Sequence, residues 1–151
     1  MEHALCILFL CWCFTLGSST ECPGEEWKRM GSSCFYFSEE VVTWNNARDY
    51  CERRLHATLA YILNAEENRF IEYRLNTYGY IHFYHIGATD QDREGRFVWV
   101  DSNRRMEYSN WSLGEPNSAG SEDCSEISTR TGTWNDIPCD EEQRFVCRIE
   151  L

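Results

Sequence analysis

The sequence contains no C-x-x-C pair and no cluster of Cys and His at zinc-ligand spacing, which argues against a zinc site. Basic residues are scarce: 14 Lys and Arg stand against 25 Asp and Glu, for a formal charge of −11. Such an acidic surface disfavours nucleic acid and anionic membranes as partners. There is no internal repeat, no low-complexity stretch and no linker, so the chain reads as one domain after a short leader. Long apolar runs are missing too. The longest, residues 4–16 (ALCILFLCWCFTL), falls short of the roughly 20 residues that span a bilayer. Small residues Gly17, Ser18 and Ser19 follow it, the pattern of a secretory signal peptide over 1–19. The expectation is an exported chain with no membrane span. A nucleophile–base pair or catalytic metal constellation is also lacking, which argues against an enzyme.

Export changes the meaning of the cysteines. Cys6, Cys11 and Cys13 leave with the leader, and Cys22, Cys34, Cys51, Cys124, Cys139 and Cys147 remain. Six cysteines in an exported domain imply a disulfide framework, although six allow fifteen pairings. Aromatic residues make up 15% of the chain, in keeping with an ordered, well-packed core.

Residues 27–37 (WKRMGSSCFYF) read as a turn followed by a strand. Thr43 is a helix N-cap, with Trp44, Ala47, Cys51 and Leu55 along one side of the helix that follows. Asn64 with Glu67 three residues on forms a capping-box pattern for a second helix. Its apolar stripe is Phe70, Ile71, Leu75 and Tyr78. Later segments, 97–100, 124–127 and 144–149, read as strands, and about residues 101–123 form a long irregular loop. Two early helices, late strands and one decorated loop make the class α+β.

That loop gathers acids without a base to neutralise them. Glu115, Asn117 and Glu122 lie on it, and the Trp134-Asn135-Asp136 triplet follows after a hairpin-length interval. Three carboxylates and two amide oxygens are hard ligands, and calcium takes about six to eight oxygens in irregular geometry. Without a cation, clustered carboxylates repel and favour protonation. The opposing reading is a solvated acidic loop. Trp99 and Trp111 are assigned to the core and Trp134 to packing that orients Asn135 and Asp136. His82 and His85 would fall on opposite faces of a strand and carry no assigned role. Asn110 begins a glycosylation sequon, and modification is not expected there.

Glu115-Pro116-Asn117, then Glu122-Asp123-Cys124, then Trp134-Asn135-Asp136, then Cys139 and the RFVC run at 144–147 together resemble a C-type lectin carbohydrate-recognition domain of the mannose-binding class. The resemblance covers residues 20–151. It implies a C-type lectin-like fold of the long form: two helices, small antiparallel sheets, a long calcium-binding loop, and disulfides Cys22–Cys34, Cys51–Cys147 and Cys124–Cys139. His85 and Ala88 depart from the family's usual Trp-Ile-Gly-Leu signature. The principal calcium and sugar ligands implied are Glu115, Asn117, Glu122, Asn135 and Asp136, with a cis bond before Pro116. An auxiliary calcium is implied at Asp90, Glu94, Ser118 and Asp123, where Ser118 replaces a longer oxygen ligand. Glu-Pro-Asn order implies mannose-type sugars (mannose, fucose, glucose, N-acetylglucosamine), whereas galactose-type members carry Gln-Pro-Asp. The expected protein is a secreted, calcium-dependent lectin for glycans, with innate recognition of microbial glycans as a role that suits secreted relatives. Any homo-oligomer is expected to use the domain surface. The alternative is a protein-binding module that keeps the fold without reading sugar.

Overall fold

The computed structural model describes residues 21–76 and 82–151. The leader and Tyr78 therefore lie outside the described residues. β1 (Trp27–Met30) and β2 (Ser33–Phe37) form an antiparallel hairpin in which Met30 faces Ser33. Gly31 turns the chain at φ 59, a left-handed conformation that costs glycine little. Sequence reading found the turn and the second strand but not β1. Trp27, at its start, is buried against Tyr36, with ring centroids 5.6 Å apart and the planes tilted.

Both helices begin where their caps place them. β3 (Val42–Thr43) leads directly into α1 (Trp44–Leu55), and the Thr43 hydroxyl accepts from the Asn46 N–H. Trp44, Ala47 and Cys51 are buried along one face, while Leu55 is half-buried where the helix ends at left-handed His56. β4 (Thr58–Leu59) follows. α2 (Ala65–Leu75) is capped by Asn64, whose Oδ1 accepts from the N–H groups of Glu66 at 3.0 Å and Glu67 at 2.9 Å. Glu67 reaches back one residue beyond a standard capping box and accepts from the Leu63 N–H at 2.8 Å.

The remaining strands are β5 (Phe83–Thr89), β6 (Val98–Trp99), β7 (Arg104–Arg105), β8 (Cys124–Ser128), β9 (Trp134–Ile137) and β10 (Glu142–Glu150). The sheet runs β1-β2-β10-β5-β6-β7, with β3 and β4 pairing to β10, β8 pairing to β5, and β9 to β8. The strand pairings are antiparallel, as the resemblance implied, except that β5 and β10 pair in parallel, Tyr84 against Arg144 and His85 against Phe145. β5 is buried from Tyr84 to Thr89, so it shows none of the in–out alternation that identifies a half-exposed strand. Gly87 is required there: a Cβ on it would meet the Leu59 carbonyl oxygen at 2.5 Å. His85 is fully buried in β5, and His82, which precedes the strand, is exposed.

All three implied disulfides are present: Cys22–Cys34, Cys51–Cys147 and Cys124–Cys139. The second ties α1 to β10 across 96 residues of sequence. In the chain-entropy model a loop of that length contributes about 4.7 kcal/mol. Arg148, only 2% exposed, is held by Glu67 through contacts of 2.9 and 3.0 Å and by Glu150 at 2.7 Å. Its guanidinium lies 4.0 Å from the centre of the Tyr61 ring. Among the described residues, no helix is long and apolar enough to cross a membrane.

Candidate functional site

The site rests on Trp134. Its ring is fully buried and meets Trp99, Tyr108 and Trp111 edge-on, each pair of centroids 5.7 Å apart. Such aromatic pairs contribute about 0.5–1.5 kcal/mol each beyond area burial. The indole N–H donates to Asn68 Oδ1 of α2 at 2.8 Å, which leaves no polar atom of the ring unpaired. Trp99 is core as expected, whereas Trp111 is only partly buried and packs on the core's edge. Backbone bonds then lay the long loop along β9: Trp134 N–H donates to the Asn110 carbonyl at 2.9 Å and Ser112 N–H to the Trp134 carbonyl at 2.8 Å. The Asn110 side-chain nitrogen, the atom a glycan would modify, is committed to the Gly132 carbonyl at 2.8 Å.

From that anchor β9 presents Asn135 and Asp136. The Cys124–Cys139 bridge and the β8–β9 pairing hold this hairpin against the loop. Asp136 is wholly buried. Its two oxygens accept from consecutive backbone groups across the loop, Asn117 N–H at 3.1 Å and Ser118 N–H at 2.7 Å. The Glu115–Pro116 bond just before them is cis, as the resemblance implied. Asn117 donates its side-chain amide to Glu115 Oε2, and Glu122 accepts from the Ala119 N–H at 2.9 Å.

The electrostatics place the carboxylates in one field. Burial pushes the partly exposed Glu115 carboxyl above its ordinary range. The Asn117 amide opposes that, while contact with Asp136 and the charges of Asp136 and Glu122 add to it. Glu115, Asn117, Glu122 and Asp136 are thus gathered by direct contact or by charge. Asn135 adjoins Asp136 along β9, but its side-chain nitrogen turns the other way, towards Glu126 of β8 at 3.2 Å. Glu126 escaped the sequence reading. The only signal for it is its register opposite Asn135, which local sequence does not display.

The second implied group is also partly assembled. Asp90 is 2% exposed; its Oδ2 accepts from Gly95 N–H at 2.8 Å and its Oδ1 has no partner among the described residues. Burial pushes its carboxyl up, the Gly95 N–H opposes, and Glu94 and Asp123 raise it further. Asp90 N–H donates to the Asp123 carbonyl at 3.2 Å, and the Thr89 hydroxyl to the same oxygen at 2.6 Å. Ser118 instead joins the principal set through Asp136.

Among the described residues, no group of three or more His, Cys, Asp or Glu is gathered tightly enough to hold a metal by those side chains alone. The principal set differs in kind, since two of its five members are amides. The charges of Asp136 and Glu122 raise the proton affinity of Glu115, and Asp90 adds a buried oxygen without a partner among the described residues. Hard oxygen donors in mutual repulsion are the chemistry that a calcium ion satisfies. The residues fit such an ion.

Comparison with known proteins places the fold in a family. The family model described as the lectin C-type domain matches residues 40–149. Perlucin of Haliotis laevigata is 39% identical over 121 residues, which is 78% of this chain and 77% of that protein. Rat asialoglycoprotein receptor 2 is 36% identical over 89% of this chain, which spans only 44% of the receptor's length. Among solved structures, the cow CD23 carbohydrate-recognition domain, determined in the presence of a GlcNAc2Man3 oligosaccharide, is 38% identical. It superposes with a TM-score of 0.78 over 88% of this chain and 98% of that one. The fold, the three disulfides and these matches together make the chain a member of the C-type lectin domain family.

Proposed function

We propose that the protein is a secreted, calcium-dependent lectin without catalytic activity, which binds mannose-type glycans at the loop of residues 115–122 and the Asn135-Asp136 pair. One observation carries the reading: buried Asp136 clamps the Asn117 and Ser118 N–H groups, bringing the Glu115-Pro116-Asn117 stretch against β9. Asp90, Glu94 and Asp123 form an auxiliary calcium position in the same proposal, supported by the unpartnered Asp90 oxygen. That the cow CD23 domain was solved with an oligosaccharide present supports a saccharide as the ligand class.

A calcium ion here supplies coordination positions for two vicinal sugar hydroxyls. The chain's own residues supply direction. Glu115 and Glu122 can only accept a hydrogen bond, whereas the amides of Asn117 and Asn135 can also donate. Each hydroxyl can therefore give its proton to a carboxylate and accept one from an amide. Glu at 115 and Asn at 117 set the acceptor and donor ends in the order associated with equatorial 3- and 4-hydroxyls. So shallow and polar a site favours weak monosaccharide binding that multivalent display strengthens. Competition on immobilised mannan tests the specificity: free mannose should displace the protein at lower concentration than free galactose, and the reverse order refutes it.

The second reading is a protein-binding module that has stopped reading sugar. The hydrogen bond that the Ala119 N–H gives to Glu122 favours it, because it already occupies an oxygen of that carboxylate. It predicts retention on mannan that a chelator leaves unchanged, or no retention at all.

A further inference from the structure

β8 is buried along its whole length, yet it carries a carboxylate at its centre. Glu126 is 5% exposed and pairs in register with Asn135. Its Oε1 accepts from Asn135 Nδ2 at 3.2 Å, and its Oε2 accepts from Gln143 Nε2 of β10. An apolar side chain would suit a strand buried throughout, and it would avoid the cost of desolvating a charge. What the acid offers instead is two acceptors and no donor.

That asymmetry decides how Asn135 is turned. An ionised carboxylate has no proton to give, so the amide atom facing it must be the NH2 group. The Asn135 carbonyl oxygen is thereby directed away from Glu126. The proposed calcium site needs this orientation, because calcium takes oxygen ligands. A flipped Asn135 would offer NH2 to the cation. We propose that Glu126 is a positioning residue for calcium binding, locking the Asn135 amide with its oxygen available to the ion. Gln143 completes the lock by engaging the other carboxylate oxygen. The inference rests on Asn135 being a calcium ligand, as proposed above, and extends the site one layer inward to a residue that never touches the ion.

The test compares Glu126→Leu and Glu126→Gln with the unaltered chain, with oxidised disulfides. Calcium affinity is measured by calorimetry and stability by thermal melting in chelator. Glu126→Leu should weaken calcium binding by about 10–100-fold, the usual effect of losing a partner that orients a metal ligand. Its melting temperature in chelator should stay at or above that of the unaltered chain. Glu126→Gln should recover most of the affinity. Its amide oxygen can accept from Asn135, and the buried, unpartnered Gln143 Oε1 can turn to meet the new NH2 group. Equal calcium affinity in Glu126→Leu and the unaltered chain overturns the inference. Should Glu126→Leu fail to fold, NMR of the unaltered chain decides. Slow exchange of the Asn135 side-chain amide protons with solvent in the absence of calcium supports the lock, and exchange as fast as that of an exposed asparagine overturns it. An unaltered chain that takes up no calcium sinks the proposed function itself, which is a different result from either of these.

Discussion

Replacing Asp136 with Asn separates the two roles assigned to this carboxylate. Both of its oxygens are used, accepting from Asn117 N–H at 3.1 Å and Ser118 N–H at 2.7 Å. An amide provides one acceptor and one donor, so one of those N–H groups would face an NH2 in a wholly buried place. A buried donor left without a partner costs about 1–3 kcal/mol. For a domain of this size that lowers the melting temperature by about 3–12 °C. Calcium adds a second effect. A ligand that binds only the folded state raises its stability by mass action, and a variant that cannot bind forgoes the increment. Scanning calorimetry in chelator and in millimolar calcium resolves both effects. Asp136→Asn should melt lower in chelator, and the gap should widen in calcium. Equal melting in chelator would refute the clamp; an undiminished calcium increment would refute Asp136 as a ligand.

Two further predictions concern groups outside the loop. Burial pushes the fully buried His85 ring down to about 4, against the opposing pull of the Val42 and Glu141 carbonyls. The unfolded chain, with an ordinary histidine near 6.5, binds a proton that the folded chain refuses, so stability falls as pH drops from about 6.5 to about 4. The loss is about 3 kcal/mol, and it levels off below that window. Burial raises the Glu126 carboxyl and works in the opposite sense, so the comparison is with His85→Gln, which keeps Glu126. Urea unfolding at pH 7 and pH 4.5 should show a smaller acid loss in the variant; an identical loss refutes the buried neutral ring. Glu67→Ala removes one of two carboxylates holding Arg148. Stranding a buried charge costs about 3–5 kcal/mol, and the remaining Glu150 should keep this case near the lower end, as urea unfolding would measure. A change within error would show that Glu150 suffices.

The parts of the fold legible in the sequence are those written locally. Thr43 and Asn64 announce helix starts because a side-chain oxygen beside the first turn satisfies N–H groups that nothing else reaches. The disulfides and the cis bond before Pro116 followed from the family resemblance carried by the loop motifs, not from any single residue. What local sequence does not carry is pairing between distant strands. β1 escaped because WKRM has no apolar alternation of its own; only Trp27 turns inward fully. The parallel pairing of β5 with β10 escaped because both strands are buried over long stretches and so lack a period. The site divides along the same line. Glu115, Asn117, Glu122 and Asp136 sit in motifs, and charge repulsion alone points to a cation. Glu126 and Gln143 become visible only when register brings them to Asn135.

Calorimetric titration of mannose into the protein, in millimolar calcium and again after a chelator has removed it, reaches the central claim most directly. Saturable binding should appear in calcium and vanish in chelator, with Asp136→Asn giving no heat in either condition. Mannose binding of equal strength without calcium would contradict the account.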